Sequence, residues 1–297
     1  MPRSALAEAE AREQSSEHRR ECGRPLALPS VTVEIGGIPI ILQPSDPEFC
    51  NVLESRYETF ATRNAPGAND RSANPACRFE IHLDPRGRAS DDDARVTREG
   101  PLWHFRRGDF DATWDPRAGH GRITQCPNPY SIDTVLRITH SLVLAEEGGF
   151  LLHAASAIRN NRAFLFAGVS GAGKTTISRL APPDATVLTD EISYIRRSGD
   201  RNYVAYGTPF AGELARIGAN TSAPLQSLYL LVQGPENRIA PISKIAAARA
   251  IMRHVLFFAE EKELVAKIFD SVLEFVSRVN VAQLIFTPDA RAWELIQ

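Results

Sequence analysis

The chain has 297 residues, 43% hydrophobic and 24% charged, with a formal net charge of −2. This is globular composition, long enough for one large domain or two modest ones. It excludes a global basic field for nucleic acid or anionic membrane, and no run approaches the roughly eighteen apolar residues of a spanning helix.

Residues 1–24 mix acids and bases without an apolar run. They read as a disordered polar tail, neither signal peptide nor anchor, and the expected compartment is the cytoplasm. Cys22, Cys50, Cys77 and Cys126 are widely spaced and form no Cys-x-x-Cys pair. Reduced, partly buried thiols are expected rather than zinc or a disulfide framework.

"VTVEIGGIPIIL" (31–42) predicts a hairpin turning at Gly36-Gly37. Asp46 and Pro47 then cap and open a helix whose apolar stripe is Phe49, Val52, Leu53 and Phe60. A loop rich in Asn, Pro and Gly leads to the strand "RFEIHL" (78–83), and a charged loop follows. "PLWHFRR", "DFDATWD" and "GRITQ" come at short intervals, which suggests an antiparallel sheet with Trp103 and Trp114 as core packing.

From Ser131 the period becomes helical: Ile132, Val135, Leu136, Ile138, Leu142 and Val143 form a stripe that ends at Gly148-Gly149. "FLLHAASAI" and "AFLFAG" are strand runs joined by a turn at Arg159-Asn160-Asn161. Further on, "SLYLLVQ" and "VAQLIF" read as strands. "SKIAAARAIMRHVLFF" and "EKELVAKIFDSVLEFVSRV" read as amphipathic helices, and "PDARAWELIQ" as a closing helix anchored by Trp293. Arg249, Arg253 and His254 are expected on a solvated face.

Three elements carry chemistry. "GVSGAGKT" (168–175) fits G-x-x-x-x-G-K-[ST] in full, after an apolar strand and before a helix. Glycines at 168, 171 and 173 let the backbone approach phosphates, and successive amides turn inward. The expected phosphate cradle is Gly168, Val169, Ser170, Gly171, Ala172, Gly173, Lys174, Thr175 and Thr176. Lys174 supplies charge to the β- and γ-phosphates, and Thr175 a hydroxyl to Mg²⁺.

The second element is "ATVLTDEIS" (185–193), an apolar run ending in Asp190-Glu191, fifteen residues after Thr175. Acids beside such a loop hold Mg²⁺ or polarise a nucleophile. A capping or solvated pair is the alternative, but "ISYI" continues as strand. The acid strand is expected beside the loop strand, with Asp190 near the phosphates. The third element is His153, inside an apolar strand. Alone it reads as a buried core histidine; the hairpin brings it towards the loop. Glu213, beside Gly207-Thr208-Pro209 and Gly212, is a metal or acceptor contact or a solvated loop acid.

Together "LLHAASA", "FAGVSGAGKTT" and "LTDE" resemble the catalytic domain of HPr kinase/phosphorylase and its relatives, over roughly residues 148–297. "YGTPFAGELARIGANTSAPLQSLYLL" looks more like small kinase-like relatives in peptide-modification systems, lasso-peptide kinases included. The resemblance implies an α/β fold. An HPr-kinase/phosphoenolpyruvate-carboxykinase-like P-loop domain (131–297) follows a smaller β-rich α+β domain (25–130). It implies ATP and Mg²⁺, with Lys174 and the loop amides on the phosphates and Thr175 and Glu191 at the metal. Asp190 would be the general base, and His153 would orient Asp190 or the transferred group. The implied function is phosphoryl transfer to a hydroxyl, serine on a peptide or protein first and a small molecule second, in a homo-oligomer. The alternative from the residues is a non-catalytic nucleotide-binding regulator or scaffold, whose N-terminal domain recognises a partner.

Overall fold

The computed structural model describes residues 28–64, 77–87, 90, 92–199, 202–214 and 217–297. The polar tail, Cys22 and the Asn/Pro/Gly-rich loop lie outside the described residues.

The first sheet begins as its pattern predicts. β1 (Ser30–Ile35) and β2 (Ile38–Pro44) pair antiparallel around Gly36-Gly37. Asp46 accepts from the Glu48 amide at 2.8 Å, and Pro47 opens α1 (Pro47–Tyr57) where no N–H is needed. Phe49 and Leu53 are buried, as is Phe60 in a following 3-10 turn, but Val52 is exposed. The buried face centres on Cys50, Leu53 and Tyr57, and Val52 lies about a third of a turn away from it.

β3 (Ala61–Asn64), β4 (Cys77–Leu83), β5 (Arg95–Glu99), β6 (Leu102–Arg107), β7 (Phe110–Asp115) and β8 (His120–Gln125) complete this sheet in the order β3-β1-β2-β4-β8-β7-β6-β5. The sheet is mixed, not antiparallel throughout: β4 runs parallel to both β2 and β8. More than thirty residues, α1 and β3 among them, separate β2 from β4, the length that a parallel crossover needs. Trp103 and Trp114 face each other across β6 and β7, both buried. β5 escapes the sequence pattern because Val96 is its single buried residue among charges.

α2 (Pro129–Glu147) starts at Asn128, whose side chain accepts from the Tyr130 amide, and ends at left-handed Gly148. Its stripe, Ile132, Val135, Leu136, Ile138 and Leu142, is buried. The second sheet follows: β9 (Phe150–Arg159), β10 (Arg162–Ala167), then α3 (Lys174–Arg179), β11 (Thr186–Thr189), β12 (Ile192–Ser198), β13 (Asn202–Tyr206), β14 (Ser222–Gln233) and β15 (Arg238–Pro241). α4 (Lys244–Met252), β16 (Val255–Leu256), α5 (Lys262–Arg278) and β17 (Asn280–Phe286) end it. The molecule is thus mixed α/β and strand-rich, with two large sheets.

In the second sheet the pairings close on themselves. β9 pairs with β12 through its first half and with β10 through its second, while β12, β13 and β14 lead back to β10. The expected neighbour of the acid strand is corrected: β11 pairs with β9, not with the loop strand β10, whose other side is taken by β14. The first of the two C-terminal helices stops at Met252. Val255 and Leu256 instead pair with Leu152 and Leu151 on β9, so sheet contact overrides the helical pattern there. The closing segment is a 3-10 turn rather than an α-helix; Trp293 is buried and donates from Nε1 to the Ile177 carbonyl at 3.0 Å. α5 buries Leu264, Ile268, Val272 and Phe275, yet Val265, Phe269 and Leu273 remain exposed.

One buried cluster runs through both sheets and α2. Arg196 donates to the Gly36 carbonyl at the hairpin tip, and Asn220 donates to Thr59 O. Arg56 and Tyr57 both donate to the carboxylate of Asp133 on α2. A second cluster, around Phe166, Tyr229 and Trp293, packs beside the glycine-rich loop through Ala172 and Ile177.

Candidate functional site

The β9–β10 hairpin turns at Asn160 and Asn161, both at positive φ, and its register places Ala167 opposite Ala154. His153 is therefore next to the point where β10 runs into the glycine-rich loop. The loop emerges from the end of a buried strand and re-enters at α3. Gly173 has φ +109°, and a Cβ there would come within 2.6 Å of the Phe286 ring. No other residue fits that position without displacing the ring.

A cavity of about 540 Å³ opens over the loop. Ser170, Gly171, Gly173, Lys174, Thr175 and Thr176 line it, together with His153, Glu191, Gly212 and Glu213. Three members of the expected cradle are not part of this lining. The Val169 side chain is exposed, Ala172 is buried and its amide donates to Val169 O, and Gly168 offers its carbonyl to Lys174 Nζ at 3.0 Å. Burial pushes the Lys174 ammonium down from its ordinary value, while Glu191 and Glu213 oppose that shift.

Thr189 decides where the acid pair points. Its hydroxyl accepts from the amides of Glu191 and Ile192, at 3.1 and 3.2 Å, and bends the chain between β11 and β12. Asp190 and Glu191 consequently stand outside the regular strands, and they part company. Asp190 is 3% exposed and accepts from the amides of Gly212 and Leu214, at 3.1 and 2.9 Å. It lines a neighbouring cavity of about 730 Å³ with Ser178, Pro183, Thr189 and Leu214, not the one over the loop. Two backbone donors thus hold Asp190 at the neighbouring cavity, away from its expected place over the loop. Glu191 faces the loop cavity instead, with its Oε1 3.7 Å from His153 Nε2. Gly212 makes the close approach possible, since a Cβ there would lie 2.8 Å from Glu191 Cβ and 2.9 Å from Asp190 Oδ2.

His153 is kept below its usual pKa by burial; Glu191 opposes, and Lys174 and Arg137 add to the lowering. Its backbone amide donates to the carbonyl of His254 at 2.7 Å. His254 is correspondingly half-buried beside His153 rather than on a solvated face, which Arg249 and Arg253 do occupy.

Thr175 Oγ1 donates to Glu213 Oε2 at 3.0 Å. Thr175 and Glu191, the expected metal pair, both line the cavity, and Glu213 is the carboxylate bonded to the hydroxyl. Hydroxyl and carboxylate oxygens are hard donors that suit Mg²⁺, which needs few protein ligands when phosphates and waters supply the rest. Among the described residues no group of three or more His, Cys, Asp or Glu gathers that could hold a metal ion. The described cysteines, Cys50, Cys77 and Cys126, are buried free thiols far along the chain from this site. No helix among the described residues is long and apolar enough to cross a membrane.

Arg137 also lines the cavity, and no sequence motif points to it. It comes from α2, well before the loop, and only the packing of that helix on β9 and β12 brings it there.

Comparison with curated proteins found no match. Residues 131–297 match the family model described as SynChlorMet cassette protein ScmC. That segment covers more than half of the chain and contains every residue lining the loop cavity, so the chain belongs to the ScmC family.

Proposed function

We propose that this ScmC-family protein is an ATP- and Mg²⁺-dependent phosphotransferase of the HPr-kinase-like type. Its acceptor is a hydroxyl, with serine on a peptide or protein as the first candidate. The observation that carries the proposal is the convergence on one cavity of the glycine-rich loop, Lys174, Thr175, His153, Glu191 and Glu213. The finer fold assignment, to the HPr-kinase/phosphoenolpyruvate-carboxykinase group, belongs to the same proposal. It is supported by an antiparallel hairpin feeding the loop and an acid strand antiparallel to β9, neither of which suits a doubly wound parallel sheet.

In this reading Lys174 leaves the Gly168 carbonyl and grips the β- and γ-phosphates, with loop amides around them. Thr175 and Glu213 would hold Mg²⁺, which when bound neutralises charge on the phosphate oxygens. The acceptor oxygen forms a bond to the γ-phosphorus as the bond to the bridging β–γ oxygen breaks, and ADP leaves. Glu191, not Asp190, takes the hydroxyl proton, and His153 positions it. Most of the catalysis is placement and charge stabilisation.

Titration calorimetry with Mg·ATP, paired with transfer of labelled γ-phosphate to peptides encoded beside the gene, tests the proposal. Lys174→Ala should weaken nucleotide binding by at least about tenfold and abolish transfer. Wild-type affinity for ATP that is unchanged in Lys174→Ala would sink the phosphate reading. The second reading, a nucleotide-binding regulator, draws on the fact that Asp190 is engaged by backbone amides. It predicts wild-type binding without turnover or transfer.

A further inference from the structure

Arg137 is the cation whose environment the fold leaves incomplete. It lines the loop cavity, and with Ala211 it also lines an adjoining cavity of about 340 Å³ containing Arg56, Arg107, Asp109, Tyr130 and Asp133. The other two arginines there each hold a carboxylate, although Arg56 Nε is itself buried without a partner. Arg56 pairs with Asp133, and Arg107 donates twice to Asp109, at 2.6 and 2.9 Å. Asp133 is further taken by the Tyr57 hydroxyl at 2.9 Å.

For Arg137, by contrast, no hydrogen bond or ion pair is found among the described residues. Its Nε is buried without a partner. Its guanidinium carbon lies over the face of Phe210, 4.9 Å from the ring centroid. Burial disfavours its charge, while the carboxylates of Asp133 and Glu191 favour it from beyond bonding distance. A guanidinium always carries its charge in a protein, so its donors call for an anion. The cavity they share with Lys174 and the loop is where the proposed nucleotide would bring one.

We infer that Arg137 is a further catalytic residue, whose guanidinium binds the terminal phosphate of the nucleotide in the loop cavity. This rests on the phosphotransferase reading and extends it to a residue outside every motif. During transfer, charge spreads over the three equatorial oxygens of the moving phosphoryl group, and a planar fork of N–H donors matches two of them. Lys174 and the loop approach from the polypeptide that follows β10; Arg137 approaches from α2. Its position between two cavities leaves the smaller one open to an acceptor beside the phosphate. Asp133 and Tyr57 hold the neighbouring part of α2 against α1, so the arginine is presented from a braced helix.

An arginine that reads only the terminal phosphate discriminates ATP from ADP, and binding of those two nucleotides with Mg²⁺ is the test. In Arg137→Ala, affinity for Mg·ATP should fall about 10- to 100-fold, while affinity for Mg·ADP stays within about twofold. Arg137→Lys keeps charge and bulk but loses the fork, so it should fold and recover part of the ATP preference. ATP affinity equal to wild type in Arg137→Lys and Arg137→Ala overturns the inference, as does a parallel loss for both nucleotides in folded Arg137→Lys. Should Arg137→Ala not fold, the lysine variant alone decides by the same criterion. A wild-type protein that binds neither nucleotide overturns the phosphate reading beneath it, a result distinct from either of the others.

Discussion

Asp190 and Glu191 are chain neighbours with different surroundings. Asp190 has both oxygens on backbone amides and is nearly fully buried. Glu191 faces the loop cavity beside His153. On the proposed function, Glu191→Gln should lower turnover by about 10²- to 10⁴-fold and leave thermal stability unchanged. Asp190→Asn replaces an acceptor by a donor in front of an N–H. It should cost about 1–3 kcal/mol of stability, with loss of activity only as the loop at 212–214 loosens. Thermal melts and turnover on the two variants check this; the reverse pattern would return the base assignment to Asp190. The sequence made the pair visible as candidates but could not rank them. Strand alternation assigns faces only to residues in a strand, and the Thr189 hydroxyl removes both acids from it.

Elements announce themselves where local chemistry and tertiary packing agree. The two Asn or Gly hairpins, the Asp46 cap and the Gly148 stop all follow from residues within four positions of one another. β5 and β15 do not, because one buries a single apolar residue and the other none, too few to set a period. The packing of α2 on β12 also carries a testable proton linkage. His140 is fully buried, bonded through Nδ1 to the Tyr194 hydroxyl at 3.1 Å, and its pKa is pushed down by burial, with help from Arg196, to about 3. The unfolded chain binds a proton near 6.5 that the folded chain refuses until about 3. Stability from this group is therefore complete above pH 6.5 and is lost as pH falls through that window, by at most about 1.4 kcal/mol per unit. His140→Gln does not titrate, so its urea midpoint should decline less steeply than wild type between about pH 6 and 4. Identical slopes would refute the linkage.

At the scale of the molecule, two sheets share one buried cluster, joined by Arg196 to Gly36, Arg56 and Tyr57 to Asp133, and Asn220 to Thr59. Such continuity predicts a single cooperative unfolding transition. The three tryptophans make the measurement direct, because Trp103 and Trp114 report on the first sheet and Trp293 on the second. Fluorescence-detected urea curves of Trp293→Phe and of Trp103→Phe/Trp114→Phe should share one midpoint after allowing for the stability change each variant makes by circular dichroism. Midpoints that separate by probe would show the two sheets unfolding independently. By itself the sequence determined the glycine-rich loop, its strand-before and helix-after setting, the histidine hairpin and the presence of an acid pair, because each is encoded by neighbours along the chain. Only the tertiary structure decided that Glu191 and not Asp190 faces the loop, that Glu213 bonds Thr175, and that Arg137 joins them. Those three choices depend on which backbone amides, hydroxyls and helices meet across long chain separations, and no local pattern records such meetings.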